Sequence, residues 1–204
     1  PKVVHTLILT NSSRWPGASE EDLKRMRDSL ASLSDDDQVD GVVLDLAGVP
    51  EVQAAYATWD AESLDPEAAN GVVATIRKEV LTSAQGYPEL RYVVLVGPDY
   101  VIPYVRRPDG TTLNESNYVP IQTGDRTLAA LAAGYYLSDS PYGDLTPEPG
   151  GAVMPELSVG RLVETPGDIT ATVSRFLGSR GVVPQRALVT GYDFMEDGAQ
   201  AYAL

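Results

Sequence analysis

The 204 residues carry 15 basic and 29 acidic side chains, a net charge of −14, with 43% hydrophobic content. A chain of this length fits one large domain, or one and a half smaller ones, with a real core, and its charge repels nucleic acid and anionic membranes, favouring solubility, cations or a basic substrate. Cysteine is absent and His5 is the sole histidine, which excludes disulfides, thiolate metal sites and any Cys–His pair within the chain. No run reaches the roughly 18 apolar residues of a membrane-spanning helix.

In chain order, "VVHTLILT" (Val3–Thr10) is short, β-branched and apolar and predicts a buried strand. Ser19 then offers a helix cap with Glu20, Glu21 and Asp22 in the first turn, and Leu23, Met26, Leu30 and Leu33 recur at helical spacing. The run "SDDDQ" ends that helix, and "GVVLDL" (Gly41–Leu46) predicts a second buried strand. Asp65 and Pro66 open another helix with the stripe Ala69, Val73, Ile76 and Val80, closed by Gly86 and Pro88. "RYVVLVG" (Arg91–Gly97) is the third strand.

From Pro98 to Gly124 the pattern loosens into a long loop rich in Pro, Asn, Gly and Tyr, a length that suggests function or an interface. "DRTLAALAAGYYL" reads as a short helix running into a strand at Tyr135–Leu137. "ELSVGRL" (Glu156–Leu162) is another strand, followed by a helix capped by Thr165 with Pro166 first and Asp168 completing the box; Ile169, Val173, Phe176 and Leu177 form its stripe. "RALVTGYDF" (Arg186–Phe194) is a last strand, with Gly191, Tyr192 and Asp193 at its carboxyl end. Alternating strands and helices define an α/β fold with a mostly parallel sheet flanked by helices. The chain starts on Pro1 without a methionine and stops soon after its last strand, so a trimmed piece of a longer, incomplete fold is expected.

Ligands of open α/β sheets gather at the carboxyl ends of the strands, here Thr10-Asn11-Ser12, Asp45, Gly97-Pro98-Asp99 and Tyr192-Asp193. None forms a G-x-G-x-x-G or G-x-x-x-x-G-K-[ST] phosphate loop, and no G-x-S-x-G is present. His5, near the start of a buried strand, reads as structural. The stretch "SDSPYGDL" (Ser138–Leu145) holds Asp139 and Asp144, with Glu148 just beyond. These three are oxygen donors suited to calcium, or they shape turns, with Asp139-Ser140-Pro141 starting one and Gly143 adopting positive φ. Tyr135, Tyr136 and Tyr142 line a groove or pack with their hydroxyls at its rim. Arg161 at a strand end calls for a carboxylate partner, Asp139 or Asp144.

Together these segments resemble gingipain-type cysteine peptidases. "ELRYVVLVGPDYVIPYVR" is similar to a strand and loop of that family, and "YYLSDSPYGDL" followed by "PELSVGRLVETPGDITATVSRFL" resembles its acidic-loop and Val-Gly-Arg pair of motifs. "RALVTGYDFMEDG" is similar to the strand that opens the family's second, caspase-like subdomain. The likeness runs from about Arg91 to Gly198, with weaker agreement in "HTLILTNSSRW". It implies a caspase-like or flavodoxin-like architecture, with residues 1–183 as the N-terminal subdomain and 184–204 as the start of the second. The family's catalytic histidine and cysteine lie in that second subdomain, downstream of Ala187–Thr190, and no residue here matches either. The resemblance therefore implies a non-catalytic, extracellular or cell-surface portion of a cysteine endopeptidase. Its partners would be the rest of its own polypeptide and, in the whole protein, a peptide or protein substrate. Calcium sites stabilise loops in the family, and Asp139 and Asp144 align with its acidic loop without matching a ligand set. The alternative is a non-enzymatic α/β scaffold or a calcium-stabilised binding domain on the same fold.

Overall fold

The computed structural model describes residues 3–119, 124–146 and 153–179. Strand β1 (Thr6–Thr10) leads into α1 (Glu20–Ser34), β2 (Gly41–Asp45), α2 (Pro50–Ala61), α3 (Pro66–Gly86) and β3 (Tyr92–Val96). Then come β4 (Val105–Pro108), α4 (Arg126–Ala132), β5 (Tyr135–Ser138), β6 (Ser158–Leu162) and α5 (Pro166–Ser179). The main sheet has the order β2-β1-β3-β6, and every pairing in it is parallel. A second, two-stranded antiparallel sheet joins β4 to β5.

Local chemistry accounts for the helices. Ser19 accepts a hydrogen bond from the Asp22 amide at the start of α1, and Asp65 does the same for Glu67 ahead of Pro66 in α3. At α5 the Thr165 hydroxyl caps the Asp168 amide, and the Asp168 carboxylate reaches back to the Thr165 amide at 3.2 Å. Their apolar stripes meet the sheet. Leu7, Ile8, Leu9, Val93 and Leu95 are sealed at its centre beneath Met26, Leu30, Val72 and Ile76. Helices α1 and α5 pack together over one face of the sheet, and α2 packs against α3.

Three expectations change. Helix α2, with buried Val52, Tyr56 and Trp59 at helical spacing, stands where no element was anticipated. Strand β2, expected to be buried, is an edge strand among the described residues and is only partly covered beyond Gly41. Gly143 does not adopt positive φ; among the described residues the glycines that do are Gly17, Gly97 and Gly134. The Arg186–Phe194 strand, the 183/184 boundary, Tyr192, Asp193 and Glu148 lie outside the described residues.

Candidate functional site

The order β2-β1-β3 means that the chain reverses its direction of winding at β1, so the crevice of the fold opens where β1 and β3 end side by side. The loops there are built on carboxylates. Asp45 Oδ1 accepts from the Ser12 and Ala47 amides, each at 3.0 Å, tying the ends of β1 and β2 together. After β3 the chain turns at Gly97, with φ of 121° and a virtual Cβ 2.6 Å from the Val101 side chain, so only glycine fits. Asp99 then accepts the Tyr104 amide at 2.8 Å and both arms of Arg106 at 2.7 Å. That pair is buried.

Arg161, at the end of β6, gathers the remaining loops. Its Nε and Nη2 donate to the two Asp139 oxygens at 2.8 and 2.6 Å, while Nη1 donates to the Gly97 and Ile102 carbonyls at 2.7 and 2.8 Å. Its guanidinium lies 4.1 Å from the centre of the Tyr104 ring. Burial works against its charge, but the Asp139 carboxylate outweighs that and raises its pKa. A third cluster covers the α2 side. Arg14 forks onto Asp60 at 2.8 Å twice, Arg126 reaches the same carboxylate at 3.1 Å, and these guanidiniums stack on Tyr56 and Trp59. The Arg14 hydrogen bond, with Arg126 beside it, holds the Asp60 carboxyl below the usual carboxylate range.

The acidic stretch is thereby placed. Residues Ser140–Gly143 form a single 3₁₀ turn after Asp139. Gly143 is demanded by close approach, since a Cβ there would lie 2.2 Å from the Leu157 carbonyl, while its own carbonyl accepts from the Leu157 amide at 3.0 Å. Tyr142 is buried and donates to the Pro103 carbonyl at 2.7 Å; Tyr136 is exposed, and the Tyr135 hydroxyl meets Glu67 at 3.4 Å. Burial pushes the Tyr142 phenol well above its ordinary pKa, and that of Tyr56 as well. Asp144 does not join Asp139 on Arg161. Its carbonyl accepts from Arg77 at 2.8 Å, and its Oδ1 is buried without a hydrogen-bond partner. Among the described residues, no three His, Cys, Asp or Glu side chains gather into a metal-sized group. His5 sits at the opposite end of β1 with Nδ1 3.3 Å from Asp40, far along the strand from the crevice hydroxyls. Among the described residues the arrangement holds loops in place and assembles no nucleophile with a histidine base.

Sequence reading missed Arg14, Asp60, Arg106 and Arg126 together with their aromatic partners. The available signal was a concentration of arginine in the strand-end loops of a strongly acidic chain. These features define an α/β protein whose mostly parallel sheet is compatible with a flavodoxin-like fold and whose strand-end loops are locked by arginine–carboxylate forks. No family model, no curated protein and no solved structure matches the chain.

Proposed function

We propose that this chain is the non-catalytic N-terminal part of a gingipain-like cysteine endopeptidase, a rigid support for a catalytic subdomain and one wall of its substrate cleft. The observation behind this reading is the Arg161–Asp139 fork. The two sequence motifs that carry the resemblance, one ending in "SDSPYGDL" and the other in "SVGR", meet in space through this pair. Their charges fix the crevice loops and are not presented to a substrate. In the intact protein the peptide bond would be cleaved by a thiolate supplied from the second subdomain, and the loops pinned by Arg161 and Arg106 would give that subdomain a fixed surface to pack on.

The test has two arms. This chain alone is expected to release no fluorophore from peptide substrates; turnover that is abolished by iodoacetamide would overturn the proposal. Extended with the polypeptide encoded downstream, it is expected to gain thiol-sensitive hydrolysis, and the Arg161→Ala variant of that longer protein is expected to lose most of it. If the downstream polypeptide contains no His and Cys pair, the reading as a non-enzymatic scaffold replaces it.

A further inference from the structure

A cavity of about 500 Å3 lies on the α1/α5 face of the sheet, beside β6. Thr6, Val39, Tyr92, Val94, Gly160 and Phe176 line it, and none of its lining residues carries a formal charge, in a chain whose net charge is −14. Its floor is open at Gly160, where a Cβ would meet nothing within 4 Å. Tyr92, Val163 and Phe176 are exposed in this region. An uncharged hollow with exposed apolar side chains on such an acidic surface marks a contact region.

The neighbouring strand says what kind of contact. The Ser158 amide and the Leu162 carbonyl are turned toward the β3 side, bonding Arg91 and Gly97. In a parallel ladder the N–H and C=O groups of the alternate residues, Val159 and Arg161, therefore point away from β3, and they bond to no described residue. Edge strands are ordinarily blunted by lysine, proline or inward charge. The other edge, β2, is flanked by Asp35, Asp36, Asp37 and Asp40 and ends on Asp45. Among the described residues strand β6 has no such guard, because its one charged side chain, Arg161, is folded away onto Asp139. Exposed carboxylates bracket it, Glu164 after and Glu156 before, the latter also accepting from the Leu145 amide and the Thr146 hydroxyl.

We propose that the β6 edge docks an extended peptide segment of a separate partner protein, apolar at alternate residues and flanked by Lys or Arg. The segment adds as a further strand on the Val159 and Arg161 backbone, lays alternate side chains into the cavity, and meets Glu156 and Glu164 with its basic ends. This goes beyond the proposed peptidase role and does not depend on it.

The probe is an end-blocked peptide, Lys-Val-Thr-Val-Thr-Val-Lys, titrated into the full 15N-labelled chain. The expected result is saturable binding that slows amide exchange at Val159 and Arg161 by about tenfold or more, with Ser158 and Gly160 unchanged. The same peptide with Glu at both ends is expected to bind at least about tenfold more weakly. Gly160→Leu, which fills the floor, and Gly160→Asp, which charges it, are both expected to abolish the effect while the Val93 amide stays protected, a check that each variant is folded. Absence of slowing overturns the proposal. So does protection of Val159 and Arg161 in the dilute free chain, which would mean that the edge is already covered, or protection that grows with protein concentration, which would assign it to a second copy.

Discussion

Among the described residues Arg161 is the most heavily bonded side chain of the strand-end loops, with four hydrogen bonds and a ring beneath it, and only 7% of its side chain is exposed. A buried ion pair adds little over an apolar pair of the same shape, but removing one member strands the other in a dry site. Asp139→Ala is therefore expected to cost about 3 kcal/mol in urea unfolding, and Arg161→Lys a large part of that, because an ammonium cannot reproduce the planar fork. The double variant Asp139→Ala/Arg161→Ala is expected to fall short of the sum of its single changes by more than about 1 kcal/mol; strict additivity would show that the two groups act independently. Two tyrosines make a separate residue-scale case. Burial raises the pKa of Tyr56 and Tyr142 in the folded state, whereas an unfolded phenol ionises near pH 10, by roughly its reference value. The folded state thus holds protons that the unfolded state gives up above that pH. Their contribution is complete below about pH 10 and is lost as pH rises toward the folded values. Absorbance of tyrosinate in an alkaline titration is expected to show these two of the eleven tyrosines ionising only together with the loss of far-ultraviolet dichroism. Early titration of all eleven would contradict it.

Among the elements, the antiparallel β4–β5 pair depends on a side chain that imitates a strand. Asn70, on α3, donates from Nδ2 to the Arg106 carbonyl at 2.8 Å and accepts the Arg106 amide at 2.9 Å, closing the same pair of bonds that a neighbouring strand would. Asn70→Leu keeps the branched shape and removes both bonds, leaving a partly buried backbone donor and acceptor unpaired. A loss of about 2 kcal/mol is expected, with faster amide exchange in β4 than in β1. Two glycines give opposite expectations for one substitution. Gly143→Ala forces a Cβ against the Leu157 carbonyl and must shift backbone, so a loss of about 2 kcal/mol or more is expected. Gly160→Ala meets empty space in a strand interior and should gain roughly 0.5 kcal/mol from reduced chain entropy. Thermal melts of the pair, read against each other, test whether packing or strand propensity governs this region. The legibility of the sequence divides along the same line. Strands β1, β2 and β3 and helices α1, α3 and α5 announced themselves because apolar period and cap chemistry agree, as at Ser19, Asp65 and Thr165. Helix α2 did not, since its first turn has no side-chain cap and its stripe of Val52, Tyr56 and Trp59 is short. Gly143 looked like a turn glycine because φ is a local property that sequence suggests, whereas the clash with Leu157 is a contact between segments that sequence does not place. The Asp139 and Arg161 pairing was legible as a need for a partner, and the Arg14–Asp60–Arg126 cluster was not, because its members come from three separate segments.

At the scale of the whole molecule, two electrostatic effects oppose each other. The net charge of −14 sets up self-repulsion that the compact state feels more than the unfolded chain. The forks on Asp99, Asp139 and Asp60 attract. Salt distinguishes them by range and burial. Raising ionic strength from about 0.01 M to 0.15 M shortens the screening length from roughly 30 Å to 8 Å, which removes most of the long-range repulsion between surface carboxylates. The Arg106–Asp99 pair, at 1% and 9% side-chain exposure, is screened far less than pairs in water. Exposed pairs such as Lys24–Asp28 contribute too little for their loss to matter. Relief of repulsion should win. Sodium chloride over that range is expected to raise Tm by about 3 °C, which corresponds to about 1 kcal/mol for a domain of this size; chloride avoids the separate strengthening of apolar burial that sulfate brings. The Asp139→Ala variant is expected to gain about as much as the native chain, since it removes a pair whose energy salt barely touches and only one of the surplus acidic charges. A fall in Tm for the native chain would mean that exposed ion pairs, and not the surplus of acidic charge, dominate its electrostatics.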